Sequence, residues 1–388
     1  MGSARDPSAR ERDLRIDFFR GLALFCIFLD HVPRNILAAF TLQSVMFADA
    51  AEVFILISGY TVGMVYGGAM KRQGFLAAGV RVYHRLCQLY VAHIFLFIIF
   101  LAVVAHTQGV LNKSLYAEEY GVTNFLNEPG QALLQALLLG FQPIFMDILP
   151  VYVVLLAVFP FVLAGFRLCA RIVLFASLAL WLAVQFDNRI ALSAYPGPAR
   201  VWNFNPFAWQ ALFLVGAWFG WRNIHGGVSL LSRRWLFWLT VAISLAGFLI
   251  RFNWTLHSLY DPIPVLVGMK PLLPFLSKTN LGFLRLANVL AVAPLAVSLV
   301  CLQPRFLASW AAWPFVVCGR HSLHIFCVGI LLSILSHLVL DQFFNRLAMQ
   351  LGISVAGVGI MITVAVLLDW FVAAQGKGGS RAGGARTA

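Results

Sequence analysis

Long apolar segments dominate this chain and constrain its fold more than any other feature. Ten of them come close to the length of about 20 residues that a helix needs to cross about 30 Å of bilayer hydrocarbon. They lie near residues 16–38, 48–68, 83–106, 148–166, 171–186, 204–221, 235–253, 284–303, 315–340 and 350–374. Because lipid leaves backbone polar groups no partner outside the segment, the sequence predicts an all-α polytopic membrane protein with about ten transmembrane helices.

The composition agrees with this fold class, since 61% of the residues are hydrophobic and only 11% are charged. Soluble domains contain far more charge. The first apolar segment keeps ionisable residues and has no small-residue cleavage site, so we expect it to be retained rather than removed as a signal peptide. The six cysteines occur singly, without metal-ligand spacing, and the sequence therefore predicts no metal site and no disulfide. We also expect no tightly bound cofactor.

The basic residues indicate how the segments are oriented. Residues 131–145 are too short and interrupted to span comfortably, and we expect an interfacial or re-entrant helix there. With that segment skipped, 17 of the 28 Lys and Arg residues fall on the cytoplasmic side. They are Arg5, Arg10, Arg12, Arg15, Lys71, Arg72, Arg81, Arg85, Arg167, Arg171, Arg222, Arg233, Arg234, Arg305, Lys377, Arg381 and Arg386. The positive-inside rule then favours cytoplasmic termini, and the net charge of +13 indicates topology rather than nucleic-acid binding.

The chain reads as one membrane domain with short extensions. Residues 1–15 form a basic cytoplasmic N-terminus, residues 16–374 a single transmembrane domain, and residues 375–388 a Gly-rich cytoplasmic tail that we expect to be disordered. The loop at 253–282 contains four prolines and scattered apolar residues. It suits an extracytoplasmic cap or a substrate-facing loop better than a span.

The first apolar segment carries four ionisable residues, Asp17, Arg20, Asp30 and His31. Each costs about 2.5–3.5 kcal/mol within a membrane span, so their presence together indicates a function. On the predicted topology Arg20 lies near the inner surface and His31 about 16 Å further out. Eleven residues make about three turns, so these two side chains share one helix face, whereas Asp30 points about 100° away.

Two carboxylates begin the second segment at the depth of His31. Asp49 and Glu52 lie at the outer end of this segment, where a carboxylate meeting an imidazole would fix its tautomer and raise its basicity. The alternative is a solvated helix end. Further along, Ser58 and Gly59 favour close approach of another backbone.

Basic and acidic side chains mark three other positions. Arg81 and Arg85 are spaced i, i+4 at the cytoplasmic entrance, where they could clamp a phosphate or act only as a topology signal. Arg320, His321 and His324 lie toward the same side and could meet an anionic ligand. Asp147 starts the fourth segment on the outer side.

These motifs resemble the acyltransferase-three superfamily of membrane acyltransferases, and within it the OpgC family, associated with succinylation of osmoregulated periplasmic glucans. The resemblance is carried by IDFFRGLALFCIFLDHV, AEVFILISGY, RVYHRLCQLY, DILPVY and GRHSLHIFCVG, in order from about residue 14 to 340. The superfamily more often has aspartate in place of Glu52 and a non-basic residue in place of His321.

The resemblance implies a multi-pass protein of the bacterial inner membrane that transfers an acyl group from cytoplasmic acyl-CoA, with succinyl-CoA expected, to hydroxyls of a periplasmic glucan. His31 corresponds to the essential first-span histidine, and Asp30, Asp49 and Glu52 are the candidate carboxylates that assist it. Expected partners are acyl-CoA, the envelope carbohydrate and membrane lipid, with no nucleic acid. The candidate donor-binding residues are Arg20, Arg81, Arg85, Arg320, His321 and His324, and the candidate acceptor-binding residues are Asp147 and Tyr152.

Several readings stay open at this point. His31 could deprotonate the hydroxyl or form a covalent acyl-histidine. An O-acetyltransferase acting on another envelope polysaccharide fits the same residues. A proton-coupled transporter would also place ionisable residues in its spans, but such proteins usually show paired halves with broken helices, and the sequence shows no such symmetry.

Overall fold

The computed structural model describes residues 13–111, 121–227, 233–342 and 346–383, and the protein is mostly helical. Helices α1 to α6 are Leu14–His31, Leu42–Val45, Ala50–Gln73, Phe75–Leu111, Thr123–Asn127 and Pro129–Leu137. Helices α7 to α13 are Ile148–Phe186, Pro206–Ile224, Arg234–Leu259, Phe283–Leu302, Trp313–Arg320, Ser322–Gln342 and Leu347–Gly383. In the described residues, 3₁₀ turns occur at Ile36–Phe40, Lys270–Leu276 and Pro304–Ala308, and strands β1 (Ser193–Ala194) and β2 (Gly197–Val201) pair antiparallel.

Seven helices of the described residues are long and apolar enough to cross a membrane. They are Ala50–Gln73, Phe75–Thr107, Ile148–Phe186, Arg234–Leu259, Phe283–Cys301, Ser322–Gln342 and Leu347–Gln375. The all-α, membrane-type fold predicted from the sequence is therefore present. The number of crossings and the side on which the termini lie remain predictions.

Three further segments account for the difference between seven and ten. Helix α1 carries four charged residues, and α8 is a 19-residue helix that follows Asn205. Helix α7 has 39 residues, about 58 Å at 1.5 Å per residue, which exceeds the hydrocarbon thickness. Its backbone becomes extended at Cys169 (φ −157°, ψ 95°), so α7 consists of two helical arms. Counting α1, α8 and both arms of α7 would restore ten segments.

The short segment predicted to lie at the interface forms α6, with nine residues, followed by irregular backbone up to α7. Nine residues extend about 13 Å, so α6 cannot cross the bilayer as a helix. Ala132 and Ala136 are buried, whereas Leu133 and Leu134 on the other face are exposed. This one-sided burial suits a helix lying along the membrane surface.

Small residues bring α3 and α8 into backbone contact. A Cβ added at Gly59 would lie 2.1 Å from the carbonyl oxygen of Phe213, and one added at Gly63 would lie 2.0 Å from that of Ala217. Since residue numbers rise together along both helices, α3 and α8 run parallel. The contact confirms the close backbone approach predicted at Gly59, and it fixes the position of the residues at the N-terminal ends of both helices.

Helix α1 is held in the same way by α11. Cβ atoms added at Gly21 and Gly319 would meet the carbonyl oxygens of Phe315 and Asp17, so α1 and α11 run antiparallel in close contact. Phe28, further along α1, is fully buried. This packing gives α1 a fixed rotation about its axis, which determines where His31 points.

The C-terminal end differs from the sequence-based expectation. Helix α13 continues to Gly383, so the helix extends beyond residue 375, where the predicted tail begins. Residues 384–388 and residues 1–12 of the predicted basic N-terminus lie outside the described residues.

Candidate active site

A cavity of about 380 Å³ lies where α1 ends and where α3 and α7 begin. Its polar wall is formed by Asp30, His31, Gln43, Asp49, Asp147, Asn203, Lys278 and Thr279. Its larger apolar side chains are Ile27, Ile144, Phe145, Ile148, Phe204, Phe326 and Ile330. An apolar pocket with a few convergent polar groups is typical of a small-molecule or catalytic site.

His31 is the last residue of α1, and two contacts orient its ring. Nδ1 lies 2.5 Å from the carbonyl oxygen of Ile27, one turn earlier in the helix. A carbonyl oxygen can only accept a hydrogen bond, so Nδ1 carries the proton and Nε2 of the neutral imidazole has the free lone pair. The ring of Phe145 meets the imidazole edge to face at 4.6 Å between centroids. His31 therefore offers a basic nitrogen in a fixed orientation.

Asp49 and Glu52 form a capping box at the start of α3. The Asp49 side chain accepts from the amide of Ala51 at 2.8 Å, and Glu52 Oε2 accepts from the amide of Asp49 at 2.9 Å. These bonds satisfy amides that have no partner inside the helix. They also turn both carboxylates toward the helix start.

Two cations neutralise this carboxylate pair. Arg285 donates from Nε to Glu52 Oε1 at 2.5 Å and from Nη2 to Asp49 Oδ2 at 2.9 Å, while Lys278 Nζ lies 2.8 Å from the same Asp49 oxygen. Burial alone would raise the pKa of Asp49, but Lys278 and Arg285 outweigh burial and hold the pKa well below its ordinary value. Burial would lower the pKa of Lys278, but Asp49 and Glu52 raise it. At neutral pH Asp49 is therefore ionised and Lys278 is protonated.

The predicted pairing of His31 with Glu52 or Asp49 is not what the described contacts show. Glu52 Oε1 accepts from Arg285, and Oε2 accepts from the amide of Asp49. The Glu52 side chain is fully buried and does not line the cavity. Asp49 does line the cavity but bonds to Lys278 and Arg285. Capping geometry explains this arrangement, because it directs both carboxylates to the start of α3. There they meet Lys278 of the preceding loop and Arg285 of α10.

Asp30 and Asp147 contribute the other carboxylates of the cavity wall. Asp30 accepts a hydrogen bond from the hydroxyl of Thr41, and Asp147 Oδ2 accepts from Asn203 Nδ2 at 3.1 Å. Asp147 precedes α7, and burial raises the pKa of its carboxyl, an effect that Asn203 and Lys278 only partly oppose. Both groups therefore present carboxyl oxygens to the cavity.

Tyr152 lies elsewhere, in contrast to its predicted role in acceptor binding. Its side chain is buried against the ring of Phe213, with centroids 6.0 Å apart, and it is not part of the cavity wall. Five residues of helix separate it from Asp147, a rotation of about 140° that directs the two side chains differently.

A second cluster of charged residues lies at the other end of α1. Arg320 Nη1 donates to Asp369 Oδ2 at 3.0 Å, and His321 Nε2 lies 2.7 Å from Asp369 Oδ1. His324 is exposed on α12, with His321 and Arg85 within electrostatic range. Because Gly319 packs against Asp17, fourteen residues before His31, this inner cluster lies about 21 Å along α1 from the cavity.

The remaining predicted donor residues lie outside the cavity wall. Arg81 is exposed, Arg85 bonds to Gln88 Oε1 at 3.1 Å, and Arg20 is half-buried on α1. The structure thus places Arg85 near His324, and none of the predicted donor residues lines the cavity that contains His31.

The polar residues of these two sites that the sequence did not single out are Gln43, Asn203, Lys278, Thr279, Arg285 and Asp369. Lys278 belongs to the Pro-rich loop at 253–282, which suits an extracytoplasmic cap or a substrate-facing loop, and this is the only sequence signal that points toward it. Its backbone is anchored by Trp209, whose Nε1 donates to the carbonyl oxygen of Lys278 at 3.0 Å. Nothing in the local sequence marks Arg285 or Asp369 as partners of residues distant along the chain.

Comparison with protein families gives a match over most of the chain. The family described as "OpgC protein" matches residues 12–373, nearly the whole chain, and the protein therefore belongs to the OpgC family. Comparisons with curated proteins and with solved structures found no match.

Proposed function

We propose that this OpgC-family protein is a membrane O-acyltransferase that moves a short acyl group, succinyl first among the candidates, from acyl-CoA to hydroxyls of a periplasmic glucan. The observation that carries the proposal is His31, whose ring is oriented with Nε2 as its basic nitrogen in the wall of a carboxylate-lined cavity. Membership in the OpgC family supports acyl transfer to a periplasmic glucan.

In the proposed reaction, His31 Nε2 takes the proton of an acceptor hydroxyl while the oxygen attacks the thioester carbonyl carbon. The carbon–sulfur bond then breaks, and the departing thiolate takes the proton from the imidazolium. General base catalysis of this kind contributes about 10²–10⁴-fold. The bond from Nδ1 to Ile27 holds the ring in the required tautomer throughout. An acyl-histidine intermediate would use the same nitrogen.

The acceptor side is supported by the carboxyl groups of Asp30 and Asp147 and the amide of Asn203. These groups provide hydrogen-bond acceptors and donors suited to sugar hydroxyls. Lys278, whose side chain is about half exposed, adds a positive charge to the wall. In this proposal the charge stabilises the oxyanion that forms on the thioester carbonyl.

The donor side is supported by the inner cluster. Arg85, Arg320, His321 and His324 offer cationic and imidazole groups for the phosphates of a CoA ester, and Asp369 occupies Arg320 and His321 until the donor arrives. A donor held there must extend about 20 Å along α1 to bring its acyl group to His31. Arg20 lies on α1 between the two ends.

The proposal assigns the charged cluster to the cytoplasmic side and the cavity to the periplasmic side of a bacterial inner membrane. It retains ten crossings with both termini in the cytoplasm. The distribution of Lys and Arg supports this orientation.

The test is acyl transfer by purified protein, with radiolabelled succinyl-CoA as donor and periplasmic glucan as acceptor. H31A should lower the transfer rate by about 10²-fold or more, since it removes the base. H106A is the matched control, because His106 is an exposed histidine of α4 outside the cavity. Transfer by H31A at the rate of the parent protein would show that His31 is not the catalytic base.

The same assay separates the alternatives. Label transfer from acetyl-CoA in preference to succinyl-CoA, or to another envelope polysaccharide in preference to the glucan, would replace the substrates and leave the reaction in place. If no short acyl-CoA is used, and the protein instead moves a solute in proteoliposomes, the transporter reading replaces the transferase.

A further inference from the structure

A second cavity, of about 550 Å³, lies between the α9–α10 hairpin and the rest of the helices and is separate from the cavity that contains His31. Its walls come from α1, α3, α8, α9 and α10. The hairpin is fastened to the bundle at the end that carries Asp49, by Arg285 and by Arg251, which donates to the carbonyl oxygen of Gln43 at 2.8 Å. Toward the opposite end, the cavity lies between the hairpin and α3 and α8.

Most of this cavity is apolar. Its apolar lining includes Ile57 on α3, Phe219 on α8, and Leu290 and Val297 on α10. A site lined in this way does not retain water, and hydrocarbon chains are the molecules present at this depth of a bilayer. The pantetheine arm of a CoA ester fits poorly, because its amides would lose their hydrogen bonds against such walls.

One end of the cavity is polar and carries a cation. Arg222 contributes to the wall, its guanidinium carbon lies 5.4 Å from the ring centroid of Trp218, and its stem covers the backbone of Gly227. Among the residues that the structure describes, no carboxylate is within ion-pair distance of Arg222. By contrast, Arg15 at the same end is already bound to Asp13 at 2.6 Å.

We infer that this cavity binds an anionic phospholipid, with an acyl chain among the apolar walls and the phosphate beside Arg222. The apolar walls match the acyl chain of such a lipid, and the guanidinium of Arg222 matches its phosphate. Arginine binds phosphate through two parallel hydrogen bonds. The lipid would fill the gap between the α9–α10 hairpin and the bundle, and thereby support the hairpin that carries Arg285. This inference is independent of acyl transfer.

The test measures lipid retention without any substrate. Full-length protein is reconstituted in nanodiscs containing equal amounts of phosphatidylglycerol and phosphatidylcholine with identical acyl chains. Native mass spectrometry then counts the lipids that stay bound to the protein after it is released from the nanodisc. The parent protein should retain one phosphatidylglycerol. R222Q should lower the preference for phosphatidylglycerol over phosphatidylcholine by about tenfold, as expected for the loss of a charged hydrogen bond.

A second variant tests the apolar part, and each variant has a matched control. A293F fills the cavity from α10 and should abolish retention of both lipids, whereas A296F adds the same ring on the same helix at a position outside the wall. R171Q removes an exposed arginine far from the cavity in sequence. Both controls should behave like the parent.

Three results would overturn the inference. They are a parent protein that shows no preference for phosphatidylglycerol, an R222Q protein that keeps the preference shown by R171Q, and displacement of the lipid by free CoA, which would assign the cavity to the donor. Since one variant could fail to fold, R222Q and A293F are each judged only as monodisperse protein, and either one suffices to decide.

Discussion

At the scale of single residues, His31 owes its chemistry to its position as the last residue of a helix. Its imidazole Nδ1 donates to the carbonyl oxygen of Ile27, one turn earlier in α1. This one bond fixes the tautomer and leaves Nε2 basic. A sequence search can find the histidine, but it cannot tell which nitrogen is free.

Arg285 is the residue on which the charge balance near the cavity depends. R285M would leave Asp49 and the fully buried Glu52 without their shared partner, and removing one member of a buried ion pair costs about 3–5 kcal/mol. We expect a clear fall in the melting temperature of the detergent-purified protein. R285M/E52Q should recover part of the loss, since it removes the carboxylate that lost its cation, whereas Asp49 keeps Lys278.

The matched control for this prediction is R251M. Arg251 lies on the same hairpin and bonds to a backbone carbonyl oxygen rather than to a carboxylate. Its loss should lower the melting temperature less than R285M does. An R285M protein that melts with the parent would contradict the assigned role of this arginine.

Asp147 gives a prediction that depends on pH. Burial raises the pKa of its carboxyl above the ordinary value of 3.8, so the neutral form is the one favoured by folding. The resulting stability is fully present below pH 3.8 and is lost as the pH rises through the folded-state pKa. D147N, which mimics the neutral form, should therefore raise the melting temperature at pH 7, and its advantage should shrink as the pH approaches 4.

D187N is the comparison for D147N. Asp187 is partly exposed, and its pKa is lowered by hydrogen bonds from Arg189, so its amide variant should give no stabilisation at pH 7. A D147N protein whose melting temperature differs from the parent by the same amount at pH 4 and pH 7 would show that Asp147 does not titrate as described.

At the scale of helices, glycines decide which elements can support the site. Gly59 and Gly63 let α3 lie directly on α8, and this contact sets the relative position of Asp49 at the start of α3 and Asn203 just before α8. Without a hydrophobic driving force between helices in lipid, such close backbone packing is a main source of helix association.

A single methyl group added at Gly63 should disturb the contact between α3 and α8. G63A places a Cβ 2.0 Å from the carbonyl oxygen of Ala217, so the helices must separate, and overpacking of this kind costs about 1–3 kcal/mol. We expect a lower melting temperature and weaker transfer activity. G79A is the control, because a Cβ added at Gly79 of α4 meets nothing within 4 Å. Equal melting temperatures for G63A and G79A would contradict the proposed contribution of the α3–α8 contact to stability.

At the scale of the whole molecule, two polar sites lie at opposite ends of α1, about 21 Å apart. The proposed reaction needs one site to be reached from each side of the membrane. The cavity is built from residues of the first, second, fourth and later apolar segments. Only a fixed orientation of all segments can give the inner cluster access to a cytoplasmic donor.

The predicted orientation can be measured by cysteine labelling in a variant without native cysteines. K270C, in the loop that carries Lys278, should react with a membrane-impermeant maleimide in cells whose outer membrane is permeabilised. K71C, at the end of α3, should react only after the inner membrane is broken. Labelling of K71C in intact spheroplasts would reverse the topology and, with it, the assignment of the donor side.

Much of this protein is determined by the sequence alone. The apolar segments require helices in a membrane, because lipid leaves their backbone groups no other partner, and each predicted segment overlaps a long helix or part of one. Three of the four catalytic candidates, His31, Asp30 and Asp49, line one cavity, and so does Asp147, one of the two acceptor-binding candidates. Their cost within or beside a membrane span is a local property, so the sequence can reveal it.

The tertiary structure decided which charges meet. Glu52, expected beside His31, belongs instead to Arg285, 233 residues further along the chain, and Asp369 pairs with Arg320 and His321 across two helices. The periodicity of one helix says which of its faces is polar, but not which helix lies against that face. The pairings follow from the glycine contacts and the capping geometry that fix the rotation of each helix, and those arise only when the whole bundle is packed.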